Sequence, residues 1–303
     1  MNNQSPPIIS IAMATYNGAK YLEEQIDSIL RQTLPASEIV VCDDCSTDRT
    51  IDILNEYSKK DGRFRVFVNE KNIGFKRNFE KAVSLCQGDY IALSDQDDIW
   101  MSNHLELLMN AIDDKILSCG NAQLIDENGA NIGITFWEQE SFDSIPTTDM
   151  EKALSITLYR SPYQGAAMMI KKELLEYALP IPQSATFHDS WFAHMACFCG
   201  GIECVNEPIL KYRRTDNSVT GKRDSRRSKL WQYRHSIIWS NKADAVRTIL
   251  ERVPNLNNKE RSFLLRLERI CLRNNTRQGR FLNFVYKTLH YRTIYNATYR
   301  KWK

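Results

Sequence analysis

Apolar runs recur along the first hundred residues, each ended by a polar cluster. "IISIAMAT" (8–15), "SEIVVCDD" (37–44), "RFRVFVNE" (63–70) and "DYIALSDQ" (89–96) are short and mostly apolar. Continuous hydrophobicity of this kind marks strands covered on both faces, as in a parallel sheet. Between the runs the apolar positions switch to helical spacing, at Leu22, Ile26, Ile29 and Leu30, then Ile51, Leu54 and Tyr57, then Phe79, Val83 and Cys86. Repeated strand, helix, strand units predict an α/β fold, a doubly wound and mostly parallel sheet with right-handed crossovers.

From residue 119 to about 215 the pattern is less regular. "SCGNAQLIDENGANIGITF" predicts a hairpin turning at Glu127, Asn128 and Gly129. "GAAMMIKKELLEYALPIP" predicts a strand and a short helix stopped by Pro180 and Pro182. "TFHDSWFAHMACFCGG" predicts a turn and a helix ending in glycines, and "IECVNEPILKYRR" a final pair of strands. Beyond about 226 helical spacing returns at Leu230, Tyr233, Ile237 and Ile238, and again at Phe263, Leu264, Leu267 and Ile270, with a break near Pro254. The division this suggests is a body over 1–221, in halves of about 1–100 and 101–221, followed by a helical extension over 222–303.

Charge sharpens that division. The overall +3 conceals an extension with 21 Lys+Arg against 5 Asp+Glu, and a body with 19 against 32. The basic extension, with "KRDSRRSK" and aromatics such as Trp231, Trp239, Tyr286, Tyr291 and Trp302, suits an anionic lipid surface or an ordinary helical bundle with a solvated basic face. Nucleic acid is not the expected partner, because it gives no reason for acids gathered in the body. The N-terminus lacks a basic n-region and no apolar run approaches the ~18 residues of a membrane span. The expected location is therefore cytoplasmic, with peripheral contact to the inner face of the membrane through the extension. Eight cysteines without a secretory signal predict reduced thiols, small buried hydrophobes rather than a zinc site.

Ligands of such a sheet bind beyond the carboxyl ends of its strands, and polar clusters sit at all four. They are "TYNG" (15–18), "DDCSTD" (43–48), "NEKNIGFKRN" (69–78) and "SDQDD" (94–98). In the last, Asp95 and Asp97 form an Asp-x-Asp pair, hard oxygen donors suited to Mg²⁺ or Mn²⁺ with positions left for a diphosphate. Asp98 is expected to cap the next segment. In the second, one of Asp43, Asp44, Ser46 or Thr47 suffices to cap the following helix, leaving Asp44 to accept a hydrogen bond from a base or ribose. Gly74 precedes a helix opening with Lys76 and Arg77, a place for phosphate or the polar edge of a base. Asp189 in "FHDSW" (187–191) either caps its helix or takes a proton from a hydroxyl nucleophile. His188 and Trp191 beside it are candidates to line a sugar face. No Gly-x-Gly-x-x-Gly or Walker loop occurs, which weighs against dinucleotide and NTPase chemistry.

Taken in order, "ISIAMATYNGAKYLEEQIDSILRQT", "EIVVCDDCSTDRT", "NIGFKRNFEKA", "DYIALSDQDDIW", "YQGAAMMIKKELLEYALPIP", "HDSWFAHMACFCG" and "EPILKYRRTDNSVTG" resemble the family 2 inverting glycosyltransferases with the Rossmann-like GT-A fold. The "SDQDDIW" and "YRRTDNSVTG" forms look like the rhamnosyltransferase-like subset that builds bacterial surface polysaccharides. The resemblance covers residues 8 to about 221. It implies that Thr15 and Tyr16, with Asn17, contact a nucleotide base, that Asp44 reads a pyrimidine edge, and that Gly74 and Arg77 lie on the nucleotide side. It implies Asp95 near the ribose and on the metal, Asp97 on the metal, Asp189 as catalytic base, and Gly165, His188 and Trp191 toward the acceptor. The implied partners are a nucleotide-diphosphate sugar donor and a glycan or lipid-linked acceptor. Where the family often has Glu-Asp at the base position, this chain has His188-Asp189.

Overall fold

The computed structural model describes residues 7–140, 142, 148–158, 161–215 and 236–273. The first half builds as the pattern predicts. Strands β1 (Ile9–Thr15), β2 (Glu38–Asp43), β3 (Phe64–Val68) and β4 (Tyr90–Ser94) alternate with helices α1 (Leu22–Leu30), α2 (Thr50–Lys60) and α3 (Phe75–Leu85). All four strands are parallel, in the spatial order β3-β2-β1-β4. Residues Ile9, Ile11, Ala12 and Met13 of β1 and Ile39, Val40 and Val41 of β2 are almost fully buried, as a sheet sandwiched between helices requires. α1 covers it with Leu22, Ile26 and Ile29, each such side chain stabilising by roughly 1.5–3 kcal/mol on burial.

The second half extends the same sheet. It comprises β5 (Ile99–Trp100), α4 (His104–Ile112), β6 (Leu117–Ile125), β7 (Asn131–Thr135), α5 (Phe136–Glu140), α6 (Asp149–Leu158), β8 (Met168–Lys171), α7 (Leu175–Ala178), α8 (His188–Cys199) and β9 (Ile202–Arg213). The full path is β3-β2-β1-β4-β8-β6-β9-β5, with β7 hanging from β6. The parallel character holds through β4. Beyond it β8 runs antiparallel to both β4 and β6, while β9 returns parallel to β6. One sheet thus passes through both halves of the body.

The hairpin turn falls where expected, closed by Asp126 Oδ1, which accepts from Asn128 N and Ala130 N, with Gly129 at φ 85°. The expected final pair of strands is a single strand, β9. Pro208 cannot donate to a ladder, but it pairs with Asn121 where the register shifts on both sides, so the strand passes through it.

Two helices of the extension are described, α9 (Ser236–Arg252) and α10 (Asn258–Arg273). They pack on each other and on the body. Ala243, Val246, Ile249, Leu264 and Leu267 are buried, Phe263 meets Phe198 of α8, and Arg252 Nη1 donates to the carbonyls of Tyr177, Ala178 and Pro180. This is the bundle alternative for that stretch. The expected lipid contact falls largely on 222–235 and 274–303, which lie outside the described residues. Among the described residues no helix is long and apolar enough to cross a membrane. All eight cysteines are free, and Cys42, Cys86, Cys119, Cys197 and Cys271 are buried in the core. Burial pushes the Cys42 thiol up to about 11 and that of Cys86 to about 12, which makes both inert at neutral pH.

Candidate active site

Parallel strands deliver their carboxyl ends to one edge, so the four polar clusters meet. The segment after β1 is clasped to the one after β4: Tyr16 N donates to Gln96 Oε1 (2.8 Å) and Gln96 Nε2 donates to the Tyr16 carbonyl (3.1 Å). It is also clasped to the segment after β2, because Asn17 N donates to Ser46 Oγ while Asn17 Oδ1 accepts from Thr47 N, each at 2.8 Å. Asn17 bends sharply to do this, at φ 48°. Tyr16 is left with its ring 47% exposed at the rim, an aromatic face open to a planar ligand.

Gly18 makes the Gln96 clasp possible, since a Cβ there would stand 2.3 Å from Gln96 Oε1. The end of Gln96 can swing away at little steric cost, but swinging breaks both of its hydrogen bonds. Two bonds of about 1 kcal/mol each correspond to roughly tenfold or more in an equilibrium. Gly18→Ala is therefore expected to weaken ligand binding at this edge about tenfold and to lower the melting temperature by about 3 °C; unchanged binding would show that the clasp does not shape the site.

The carboxylates divide between scaffolding and chemistry. Asp43 accepts from Thr15 Oγ1 (2.8 Å), from Ser46 N (2.8 Å) and from Ser46 Oγ (2.6 Å). Asp44, 2% exposed, accepts from Ile73 N, Gly74 N and Asn69 Nδ2. Its oxygens hold the loop before α3. The same bond turns the Gly74 amide inward, away from any phosphate, at a backbone φ of 84°. The hydroxyl of Thr15 is likewise committed inside the protein. Asp48, rather than any of the four residues proposed, anchors the start of α2, accepting from Thr50 N and Thr50 Oγ1.

Asp95 and Asp97 stand at the end of β4, partly buried, and Asp189 lies at the start of α8. Asp189 is fixed by backbone donors, Ser190 N to Oδ1 at 2.5 Å and Gly165 N to Oδ2 at 3.2 Å. Burial raises its carboxyl to about 6, although those two amides favour the charged form. Burial first, then the charges of Asp97 and Asp189, raises Asp95 to about 7. Burial also lifts Asp97, against the attraction of Arg213, and lifts Asp98 well above the usual range. Asp189 is thus close enough for its charge to be felt at Asp95. Three acids in one cleft, two of them titrating near neutrality, are unfavourable unless something positive arrives.

The acceptor-side expectations need correction. Trp191 is 2% exposed and donates Nε1–H to the Ala178 carbonyl, so it is a core side chain that touches no sugar. His188 is buried with its ring stacked on Phe79, centroids 3.9 Å apart, and burial lowers its pKa to about 3. It is a neutral packing residue beside the site. Gly165 is buried and acts through its amide on Asp189; a Cβ there would approach His188 Nε2 to 2.9 Å. Arg77 lies along the outer face of α3, bonded to Glu80 and to the Ile181 carbonyl. Lys76 instead points at the loop before α8, donating to the carbonyls of Pro182, Gln183 and Ala185. It ties α3 to the segment that leads to Asp189.

Two residues without an expected role prove central, Gln96 and Arg213. Gln96 is the middle residue of Asp-x-Asp. Arg213 ends β9, and its backbone N donates to Asp98 Oδ1 at 3.0 Å. Asp98 is consequently a tie between the turn after β4 and β9, not a cap.

The donor set of the cleft suits a hard divalent cation. Asp95 and Asp97 offer only carboxylate oxygens, and among the described residues no Lys, Arg or His forms an ion pair with either. Among the described residues no group of three or more His, Cys, Asp or Glu is arranged to hold a metal. One or two carboxylates completed by substrate phosphates is the usual protein share for Mg²⁺.

The family model "Glycosyl transferase family 2" matches residues 10–176. A Bacillus subtilis glycosyltransferase named for teichuronic acid biosynthesis, TuaG, is 41% identical over 100 residues, 33% of this chain and 40% of its own length. Glycosyltransferase GlyG of Streptococcus pneumoniae is 34% identical over 221 residues, 70% of this chain and 72% of its own. Among solved structures, S. aureus TarS 1–349 in complex with UDP-GlcNAc aligns with TM-score 0.62 at 18% identity, covering 96% of this chain and 79% of that one. With the matched segment spanning β1 to α7, more than half of the chain, this protein belongs to glycosyl transferase family 2.

Proposed function

We propose that the protein transfers a sugar from a nucleotide-diphosphate donor to a hydroxyl of a glycan or lipid-linked acceptor, inverting the anomeric centre, in the building of a bacterial surface polysaccharide. What supports this reading is the placement of Asp95 and Asp97 directly after β4, on the carboxyl edge of the sheet, with Asp189, held by the Gly165 and Ser190 amides, near enough for its charge to act on Asp95. A Mg²⁺ or Mn²⁺ ion bound by Asp97 with Asp95 would neutralise charge on the departing nucleoside diphosphate.

Asp189 is the proposed base. Its proton affinity, raised by burial to about 6, leaves it charged at neutral pH yet basic enough to take the acceptor proton. The hydroxyl then attacks the anomeric carbon from the face opposite the leaving group, through a transition state with oxocarbenium character. Gly165 N and Ser190 N hold the carboxylate on line, and Tyr16 offers its exposed ring to the nucleotide base. TarS, whose fold this chain shares, was solved with UDP-GlcNAc, which supports a nucleotide-sugar donor here. The motif resemblance favours a rhamnose-type donor, and the TarS ligand a UDP-N-acetylhexosamine.

Thermal-shift screening of the full chain with Mn²⁺ against dTDP-rhamnose, UDP-GlcNAc, UDP-glucose and GDP-mannose separates these donors. A ligand at 100 times its Kd stabilises by about 2.7 kcal/mol, a shift of roughly 4 °C in a protein of this size. No shift with any of the four would count against the reading.

A further inference from the structure

We propose that Arg213 is a positioning residue that holds the Asp95–Asp98 turn in the shape needed to receive the cation, an inference that rests on reading Asp97 as a cation ligand. The turn has little to hold it from within. It joins β4 to β5, a strand of two residues paired, among the described residues, only to β9, and an isolated turn of this kind has no hydrogen-bond ladder of its own. Arg213 supplies the missing framework. Its side chain is 2% exposed, and Nε donates to the Asp97 carbonyl at 2.8 Å. With the Asp98 bond from its own backbone, one residue therefore fixes two consecutive members of the turn.

The other end of the guanidinium reaches two further elements. Nη2 pairs with Glu24 Oε2 of α1 at 2.5 Å, and Nη1 donates to the Glu127 carbonyl in the β6–β7 turn at 3.3 Å. The group also lies over the Tyr21 ring, 4.4 Å from its centroid. A planar fork with separated donors can make these contacts at once, whereas a lysine ammonium cannot. What the guanidinium leaves alone matters equally. It spends its donors on carbonyls and Glu24, not on the Asp97 carboxylate, so it shapes the acid pair without taking the cation's place.

The test is Mn²⁺ binding to the full chain, read by electron paramagnetic resonance as loss of the free-ion signal, with Mn²⁺ alone and with Mn²⁺ plus UDP. Residues that orient metal ligands typically account for 10–100-fold in metal affinity. Arg213→Gln is expected to raise the Mn²⁺ half-saturation concentration by at least tenfold, Arg213→Lys to recover only part of it, and Glu24→Gln, at a half-exposed site, to raise it two- to fivefold. A Mn²⁺ titration of Arg213→Gln that superposes on wild type overturns the proposal, whatever the change in melting temperature, because Arg213 would then be structural only. If Arg213→Gln does not fold, Glu24→Gln decides, and an unchanged half-saturation overturns it. Wild type that binds no Mn²⁺ in either condition overturns the cation reading of Asp97 itself, a failure distinct from the other two.

Discussion

Asp189→Asn is expected to lower kcat by about 10²–10⁴, the range over which a positioned general base contributes, while the protein stays folded. Asparagine keeps the shape but has a single acceptor oxygen, so it can accept from Ser190 N or from Gly165 N and not from both, and it removes the proton-accepting carboxylate. The wild-type pH profile carries the same information. Burial raises the Asp189 carboxyl to about 6, so kcat/KM should fall about tenfold per unit below that value. Asp95, raised to about 7, must lose its proton to engage a cation, which makes the acid limb steeper at low Mn²⁺. Saturating Mn²⁺ should move the limb to lower pH, because the ion competes with the proton. The stability effect has the opposite sign. A carboxyl whose folded pKa is raised favours the protonated folded state, so its contribution worsens as pH climbs from about 4 through about 6. At pH 8 Asp189→Asn should therefore melt at or a few degrees above wild type. Loss of activity accompanied by a lower melting temperature would point to misfolding instead.

The scaffold was legible in the sequence where burial on both faces writes a continuous apolar run, as in β1 to β4. Their polar ends were legible for the same reason, since a parallel sheet sends all four to one edge. Destinations of individual side chains were not. Hydrophobic spacing gives a residue's place along an element but not which polar partner lies across the fold. Thr15, Asp44 and Gly74 stand at the mouth in sequence and are consumed by bonds to one another's loops. Trp191 sits two residues from Asp189, yet two positions round a helix turn a side chain by about 200°, enough to send it into the core. Arg213 belongs to a strand 115 residues beyond Asp98, a separation that no local pattern encodes. Its one visible signal was an arginine ending a mostly apolar strand, where a charge must find a buried partner.

Asp97→Ala is expected to abolish transfer more completely than any other single change at the cleft, and to do so through binding of the cation and diphosphate rather than through the base. Wild type with Mn²⁺ and UDP at 100 times the Kd should gain about 2.7 kcal/mol, read as roughly 4 °C in melting temperature. Asp97→Ala should lose nearly all of that gain. Its ligand-free melting temperature should not fall, because the side chain removed is one that burial already disfavours in its charged form. The tie that secures the turn uses the Asp97 carbonyl, not its carboxylate, so alanine keeps the turn in place. Asp189→Asn provides the contrast: it should retain the full Mn²⁺ and UDP shift while losing turnover. If Asp97→Ala keeps the shift, the cation is held elsewhere and the acids at the end of β4 serve another purpose. If both variants lose it, the two sites are one coupled unit, as the influence of Asp189 on Asp95 across the cleft already hints. The pair of melting curves thus separates cation binding from proton transfer without requiring the acceptor to be known.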